Sequence, residues 1–236
     1  MANLFARHSA KKEFLTESHI AQRLQFAKTN LHRDWSRVIF SDASTFSSAS
    51  NGPVVVYRPG GTRYDPRYIS YRRSYGRLSV SVWGWMSSDN LGSLHKINGR
   101  LTGTQYIHIL ENVMVPSVRE HYPDGVIQFQ QDKSPIHTCR VVNDWFRRHN
   151  EIQVLDWPPR GADMNPIENV WAEVKRTVRQ KWPNPPPSTS EALWDVVQNA
   201  WQDVAVNRQE YARHLVDRLS RRMDAAVEAG GHWTSY

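Results

Sequence analysis

The chain has 236 residues, with 30 lysines and arginines against 23 aspartates and glutamates and a formal charge of +7. That length is enough for one large domain with a real core, and a basic balance suits a partner that is a polyanion. A single cysteine, Cys139, excludes an internal disulfide framework and a cysteine-rich zinc site. No apolar run approaches the ~18 residues of a membrane span, and MANLFARHSAKKEF lacks the apolar stretch of a secretory signal. A soluble, intracellular protein is expected.

In chain order, residues 14–30 (FLTESHIAQRLQFAKTN) read as an amphipathic helix with Thr16 or Ser18 as cap and Ile20, Leu24 and Phe26 as apolar marks. Residues 35–46 follow as a buried strand whose run VIF leads through Ser41 into Asp42. Residues 47–77 depart from this pattern, with a short VVVY strand, a Gly-Gly pair and a dense run of Arg, Tyr and Pro; they read as an extended, basic insertion. RLSVSVWGWM (77–86) alternates cleanly and, with Ser-Asp-Asn and LGSLHKI behind it, forms a hairpin. From 104 to 122 the apolar residues recur at threes and fours, a helix that Pro116 should kink or split. VIQFQQ (126–131) is a strand ending on Asp132; a helix at about 139–149, the short strand IQVL and a Trp-Pro-Pro loop come next. Asn165 opens a helix to about Trp182, PNPPPS is a stiff linker, and one or two helices fill 190–229.

That order predicts an α/β chain of ribonuclease-H-like type, a mixed central sheet flanked by helices with the insertion after its first strand. The expected division is a helical lead-in at 1–34, a catalytic domain at 35–182, and a Pro-rich linker with C-terminal helices at 183–236.

Three carboxylates stand out: Asp42 and Asp132 at the ends of expected strands and Glu168 at the start of an expected helix. Asp is disfavoured in strands, although a strand end tolerates a turn-forming Asp. Glu168 has a bland explanation of its own: Asn165 as N-cap, Pro166 at the first helical position and Glu168 reaching back complete a capping box. Yet it borders the helix's apolar stripe on the side of Ala172, Lys175 and Arg179. Three carboxylates brought together by a sheet repel one another unless a cation sits among them. Mg²⁺ takes oxygen ligands and shares its shell with phosphates, so metal-dependent phosphoryl transfer on nucleic acid is the leading reading. His137 is either a group that orients water or phosphate or a surface histidine. No zinc spacing, nucleophile elbow or phosphate loop is present, and the tryptophans at 83, 85, 145 and 171 read as core.

At these residues the chain resembles the catalytic region of Tc/mariner DDE transposases. VIFSDASTF is similar to that family's first-aspartate strand, SVWGWMSSDNLGSL to its hairpin, FQQDKSPIHT to its second-aspartate block and WPPRGADMNPIENVWAEVKR to its third-acid block. RRMDAAVEAGGHWTSY resembles its C-terminus. The resemblance implies a triad of Asp42, Asp132 and Glu168 holding two Mg²⁺ or Mn²⁺ ions. One would activate water or a DNA 3′-hydroxyl, and the other would stabilise the leaving oxygen. It also implies nuclear cut-and-paste action on double-stranded DNA, with transposon ends joined to a target that in relatives is a TA dinucleotide, and a homodimer on that DNA. Candidate DNA contacts are Arg63, Arg67, Arg72, Arg73 and Arg77 on the insertion, His137, and Lys175, Arg176 and Arg179 on the last catalytic helix.

The chain departs from the family pattern in three places. Ala43 follows Asp42 where Asp-Glu-Ser is usual, Gly161-Ala162-Asp163 replaces Ser-Pro-Asp, and the stretch from Asp132 to Glu168 is one residue longer than usual. The family's paired helix-turn-helix modules precede its catalytic domain and find no counterpart here, which fits a fragment, a truncated copy or a host protein that kept the catalytic fold. The rival from another class is a transposase-derived domain that binds DNA or protein without catalysis.

Overall fold

A computed structural model describes residues 12–48, 57–68, 78–183, 185–207 and 209–236. Five strands form one sheet in the order β3-β2-β1-β4-β5: β1 Val38–Ser47, β2 Ser79–Met86, β3 Leu91–Ile97, β4 Ile127–Gln130 and β5 Ile152–Val154. β1, β2 and β3 are antiparallel neighbours, whereas β1–β4 and β4–β5 are parallel. The change falls where the sequence stops making hairpins and begins alternating strand with helix, because a parallel neighbour needs a crossover. The expected mixed sheet with flanking helices is present. Residues 54–56 of the VVVY strand and Arg72, Arg73 and Arg77 lie outside the described residues.

Side-chain alternation divides β1 and β2 between two cores. Val38, Phe40, Phe46, Val80 and Val82 enter one, with residues of α5 (Ile167–Gln180) and α6 (Ser190–Asn207). Ile39, Trp83 and Trp85 enter the other, with Tyr106, Ile109 and Leu110 from α2 (Gly103–Ile109) and the turn after it, Val118 from α3 (Val115–His121), and Val142 and Trp145 from α4 (Arg140–Arg148). Trp83, Trp85, Trp145 and Trp171 are all buried, as expected. Gly84 lets α5 lie close to the sheet: a Cβ there would stand 3.0 Å from the Trp171 ring and 3.2 Å from Trp201.

Pro116 does not break its helix but changes its hydrogen-bond register. A π turn, Leu110–Met114, joins α2 to α3, and Val115 donates to the Leu110 carbonyl. Widening the spiral just ahead of a residue with no N–H accommodates the lost i→i−4 bond without ending the element. In α1 (Glu17–Thr29), Thr16 is the cap, in a capping box with His19. The residues that α1 buries are Arg23 and Ala27, while Ile20, Leu24 and Phe26 are only half-buried. Among the described residues, the helical C-terminal region expected from the sequence comprises α6, α7 (Gln209–Asp217) and α8 (Leu219–Glu228). Leu193, Val197, Trp201, Leu219 and Met223 share the α5-side core, so these helices complete the cover of one sheet face.

Candidate active site

The carboxylates come from three elements that meet where β1 and β4 part. Parallel pairing ends at Phe40 opposite Gln130. Asp42 is two residues past that point, yet it is mid-strand: β1 continues to Ser47, paired on one side only, with β2. The apolar run ends where the second neighbour ends, although the strand itself continues, so the expected strand end at Asp42 is not one. Asp132 lies two residues beyond the last residue of β4, and Glu168 is the second residue of α5.

The capping-box explanation of Glu168 does not hold. Asn165 does serve the helix start, its Oδ1 accepting from the Ile167 N–H at 3.3 Å. Its own N–H, which Glu168 would have to bind, already donates to the Ala162 carbonyl at 3.0 Å. Glu168 is exposed instead, at the end of α5 where the helix dipole favours negative charge.

Charge couples the three groups. Burial raises the Asp42 carboxyl to about 8, and the charges of Glu168 and Asp132 push the same way against Lys175 and the Ala43 N–H. Burial also raises Glu168, with Lys175 and Lys12 opposing and Asp132 adding to the rise. Asp132 behaves differently: burial pushes it up, but the hydrogen bond and charge of His137 and the donors of Ser134 outweigh that and hold it low. Asp132 Oδ1 lies 2.5 Å from His137 Nδ1 and 3.0 Å from the Ser134 backbone nitrogen. Asp132 and Glu168 are open to water at their tips, so these shifts belong to a cleft and not to a sealed core. Among the described residues, no three acidic, histidine or cysteine side chains converge into a metal-binding group.

His137 is not a surface histidine. It is 6% exposed, stacked on Tyr106 with ring centres 4.2 Å apart, and its bonded atom faces Asp132. The Tyr106 hydroxyl donates to Gln131 Oε1 at 2.7 Å, and burial and the Asp132 charge keep it protonated. Lys175, two turns along α5 from Glu168, lies with its Nζ 5.5 Å from the centre of the Phe46 ring. Arg176 is tied to Glu173 on its own helix at 2.5 and 2.9 Å, and Arg179 is exposed. On the insertion, Arg63 stacks on Tyr64, and Arg67 is paired with Asp65 at 2.6 Å.

Lys12, Tyr106 and Asp163 were not among the site residues expected from the sequence, and Asn165 was expected only as a helix cap. Asn165 and Asp163 sat in quoted motifs, but nothing local marked Lys12 or Tyr106. Asp163 is buried and paired with Arg23 of α1, and the N-terminal segment meets the third-acid block only in three dimensions.

This strand order, with acidic residues on β1, after β4 and at the start of α5, defines a ribonuclease-H-like nuclease domain. The profile of the DDE superfamily endonucleases matches residues 37–186. The Tc1 transposase of Caenorhabditis elegans is 34% identical over 239 residues, covering all of this chain and 84% of that protein. The Tcb2 transposase of Caenorhabditis briggsae is 33% identical with the same coverage. The chain belongs to the DDE superfamily of endonucleases, as a transposase of the Tc/mariner group. Among solved structures, the Mos1 transposase paired-end complex is similar over the whole chain and 69% of its own, with a TM-score of 0.81 at 15% identity. The Mos1 catalytic domain with Raltegravir and Mg has a TM-score of 0.70 at 13% identity, over 94% of this chain and all of its own. At such identities these likenesses speak for the fold.

Proposed function

We propose that Asp42, Asp132 and Glu168 are the catalytic triad of a divalent-metal-dependent reaction that cleaves transposon-end DNA and joins it to a target. The observation that supports this most is that carboxylates from three elements act on one another: burial first, and then the charges of Glu168 and Asp132, raise the Asp42 carboxyl to about 8, with the Ala43 N–H and Lys175 opposing. Hard carboxylate oxygens suit Mg²⁺ or Mn²⁺, and a site that leaves part of the shell to water and substrate phosphates is the usual Mg²⁺ arrangement. The Mos1 catalytic domain has been solved with Mg and with Mn. Two ions are the proposed number; bound metal lowers the pKa of an attacking water and neutralises charge on the leaving oxygen.

The chain's own part is positioning. His137 and Ser134 orient Asp132, β1 holds Asp42, and the first turn of α5 presents Glu168. Lys175 acts on the charges of Asp42 and Glu168 and is placed to meet a phosphate, while Arg179, Arg63 and Arg67, and from the sequence the arginines at 72, 73 and 77, are further candidates for phosphate contacts. Arg176, held by Glu173, is the weakest of these candidates. Action in the nucleus and a homodimer on DNA belong to the same proposal. Among the described residues, no helix is long and apolar enough to cross a membrane.

Glu168→Gln tests it. The side chain makes no cap, so thermal stability should hold. Nicking of supercoiled plasmid at high protein concentration with Mn²⁺ should fall by about 100-fold or more, beyond the ~10–100-fold that loss of a metal's outer-shell partner costs. Equal nicking by both proteins would refute the triad.

A further inference from the structure

The three acid-bearing elements share little regular backbone pairing at the site, so something else must hold their spacing. β1 and β4 are hydrogen-bonded neighbours only as far as Phe40 and Gln130, and α5, a helix packed on the sheet face, adds no strand to the ladder. At the parting point, side chains take over the ladder. The Ser41 backbone N–H, which would otherwise lose its partner on the β4 side, donates to Gln130 Oε1 at 3.1 Å. The Ser41 hydroxyl donates to the Gln130 carbonyl at 2.9 Å. Asn165 Nδ2 donates to the Ser41 carbonyl at 3.4 Å, and its Oδ1 takes the Ile167 N–H at the head of α5.

We propose that Ser41, Gln130 and Asn165 form a buried clasp that sets the mutual positions of Asp42, Asp132 and Glu168, and are positioning residues for the metal site. The proposal rests on the triad reading above. Each clasp residue stands one to three positions ahead of one acid in the chain: Ser41 before Asp42, Gln130 before Asp132, Asn165 before Glu168. All three are sealed from solvent, at 3%, 0% and 5% exposure. The clasp is therefore a single bonded unit in which each acid hangs from one member by a short length of backbone.

A purely stabilising role would favour a different residue at the centre. Gln130 is on a strand in the core, where an aliphatic side chain would pack well, and its Nε2 finds no partner. A buried donor left unsatisfied costs about 1–3 kcal/mol. Such a group is tolerated where its other end does something an aliphatic side chain cannot, and here that end carries the Ser41 N–H.

The experiment uses the full chain and two variants that keep volume or cap. Gln130→Met fills the same space without the acceptor. Asn165→Ser keeps an N-cap oxygen for α5 but is too short to reach Ser41. Ser41→Ala, which removes the bond to the Gln130 carbonyl together with the hydroxyl's contact to Tyr106, serves if either fails to fold. The first readout, independent of activity, is Mn²⁺ binding by calorimetry and by the rise in melting temperature on titration. The second is the ratio of Mg²⁺-supported to Mn²⁺-supported plasmid nicking, because Mg²⁺ demands near-ideal geometry. The expected result is a midpoint for Mn²⁺ raised about tenfold and a Mg²⁺/Mn²⁺ ratio lowered by a similar factor, out of proportion to any change in melting temperature without metal. Wild-type Mn²⁺ midpoints in folded variants, with binding still lost in Asp132→Asn, would overturn the clasp and leave the triad standing. No Mn²⁺ binding by the wild type would overturn both.

Discussion

Asp163→Ala should be among the most damaging single changes outside the acids. Both side chains of the Arg23–Asp163 pair are fully buried. Arg23 Nη1 and Nη2 donate to the two carboxylate oxygens at 2.8 and 2.7 Å, and Thr234 adds its N–H and hydroxyl, both at 3.0 Å. Arg23 also binds the carbonyls of Gly231 at 2.8 Å, His232 at 3.1 Å and Arg160. The chain passes so close to α1 that a Cβ on Gly231 would stand 2.2 Å from the Ile20 carbonyl, at a backbone φ of +87° suited to glycine. α1, the loop ahead of Asn165 and the C-terminus are thus joined through one carboxylate. Removing it strips four hydrogen bonds and leaves a guanidinium buried among carbonyls, and breaking a buried pair from one side costs about 3–5 kcal/mol. For a chain of this size that corresponds to a fall in melting temperature of roughly 6–20 °C. Glu173→Ala, which breaks the partly exposed pair with Arg176, should cost no more than about 1 kcal/mol for that pair. In a cycle with Arg23→Met, the double variant should recover about 2 kcal/mol or more of the summed loss, since the orphaned charge is gone. Denaturant titration of the wild type and the four variants measures these losses. A loss below about 1 kcal/mol for Asp163→Ala, or strict additivity in the cycle, would refute the account of this pair as the anchor of the loop.

Two further outcomes are expected. The Asp42 carboxyl is raised in the folded chain to about 8, so the folded state holds a proton that the unfolded state has released from about pH 4 upward, and stability falls as pH rises through that window. In EDTA, Asp42→Asn should gain on the wild type by on the order of 3 kcal/mol more at pH 7.5 than at pH 5, and His95, held low by burial, acts equally in both proteins. An advantage independent of pH would show that Asp42 titrates normally. DNA binding by this chain should be largely independent of sequence and fall steeply with salt, because counterion release drives it; gel-shift titrations from 50 to 200 mM salt on two unrelated duplexes measure it, and tight salt-insensitive binding to one of them would contradict it.

Much of the architecture was legible in the chain because it is written in local periodicity. Alternation in SVSVWGWM, the three-and-four spacing after Thr102 and the apolar run before Asp132 each specify an element from a few adjacent residues, and the order of elements then restricts the sheet. The three acids were legible for the same reason: each sits beside a strong local signal, and the motifs around them carry the family. What depended on the tertiary structure was how separate segments share polar groups. Arg23 reads as the polar face of an amphipathic helix, yet it is fully buried, because its partners lie 137 to 209 residues away. Asp42 read as a strand end, since the sequence cannot say that β1 loses one neighbour and keeps the other. For His137 the sequence left a surface position open, and Tyr106 closes that option; for Glu168 it left a capping role open beside the metal role, and the N–H a cap would bind is taken by the Ala162 carbonyl. Periodicity records which face of an element is apolar; a buried hydrogen bond depends on two segments arriving together, and no local pattern encodes that meeting.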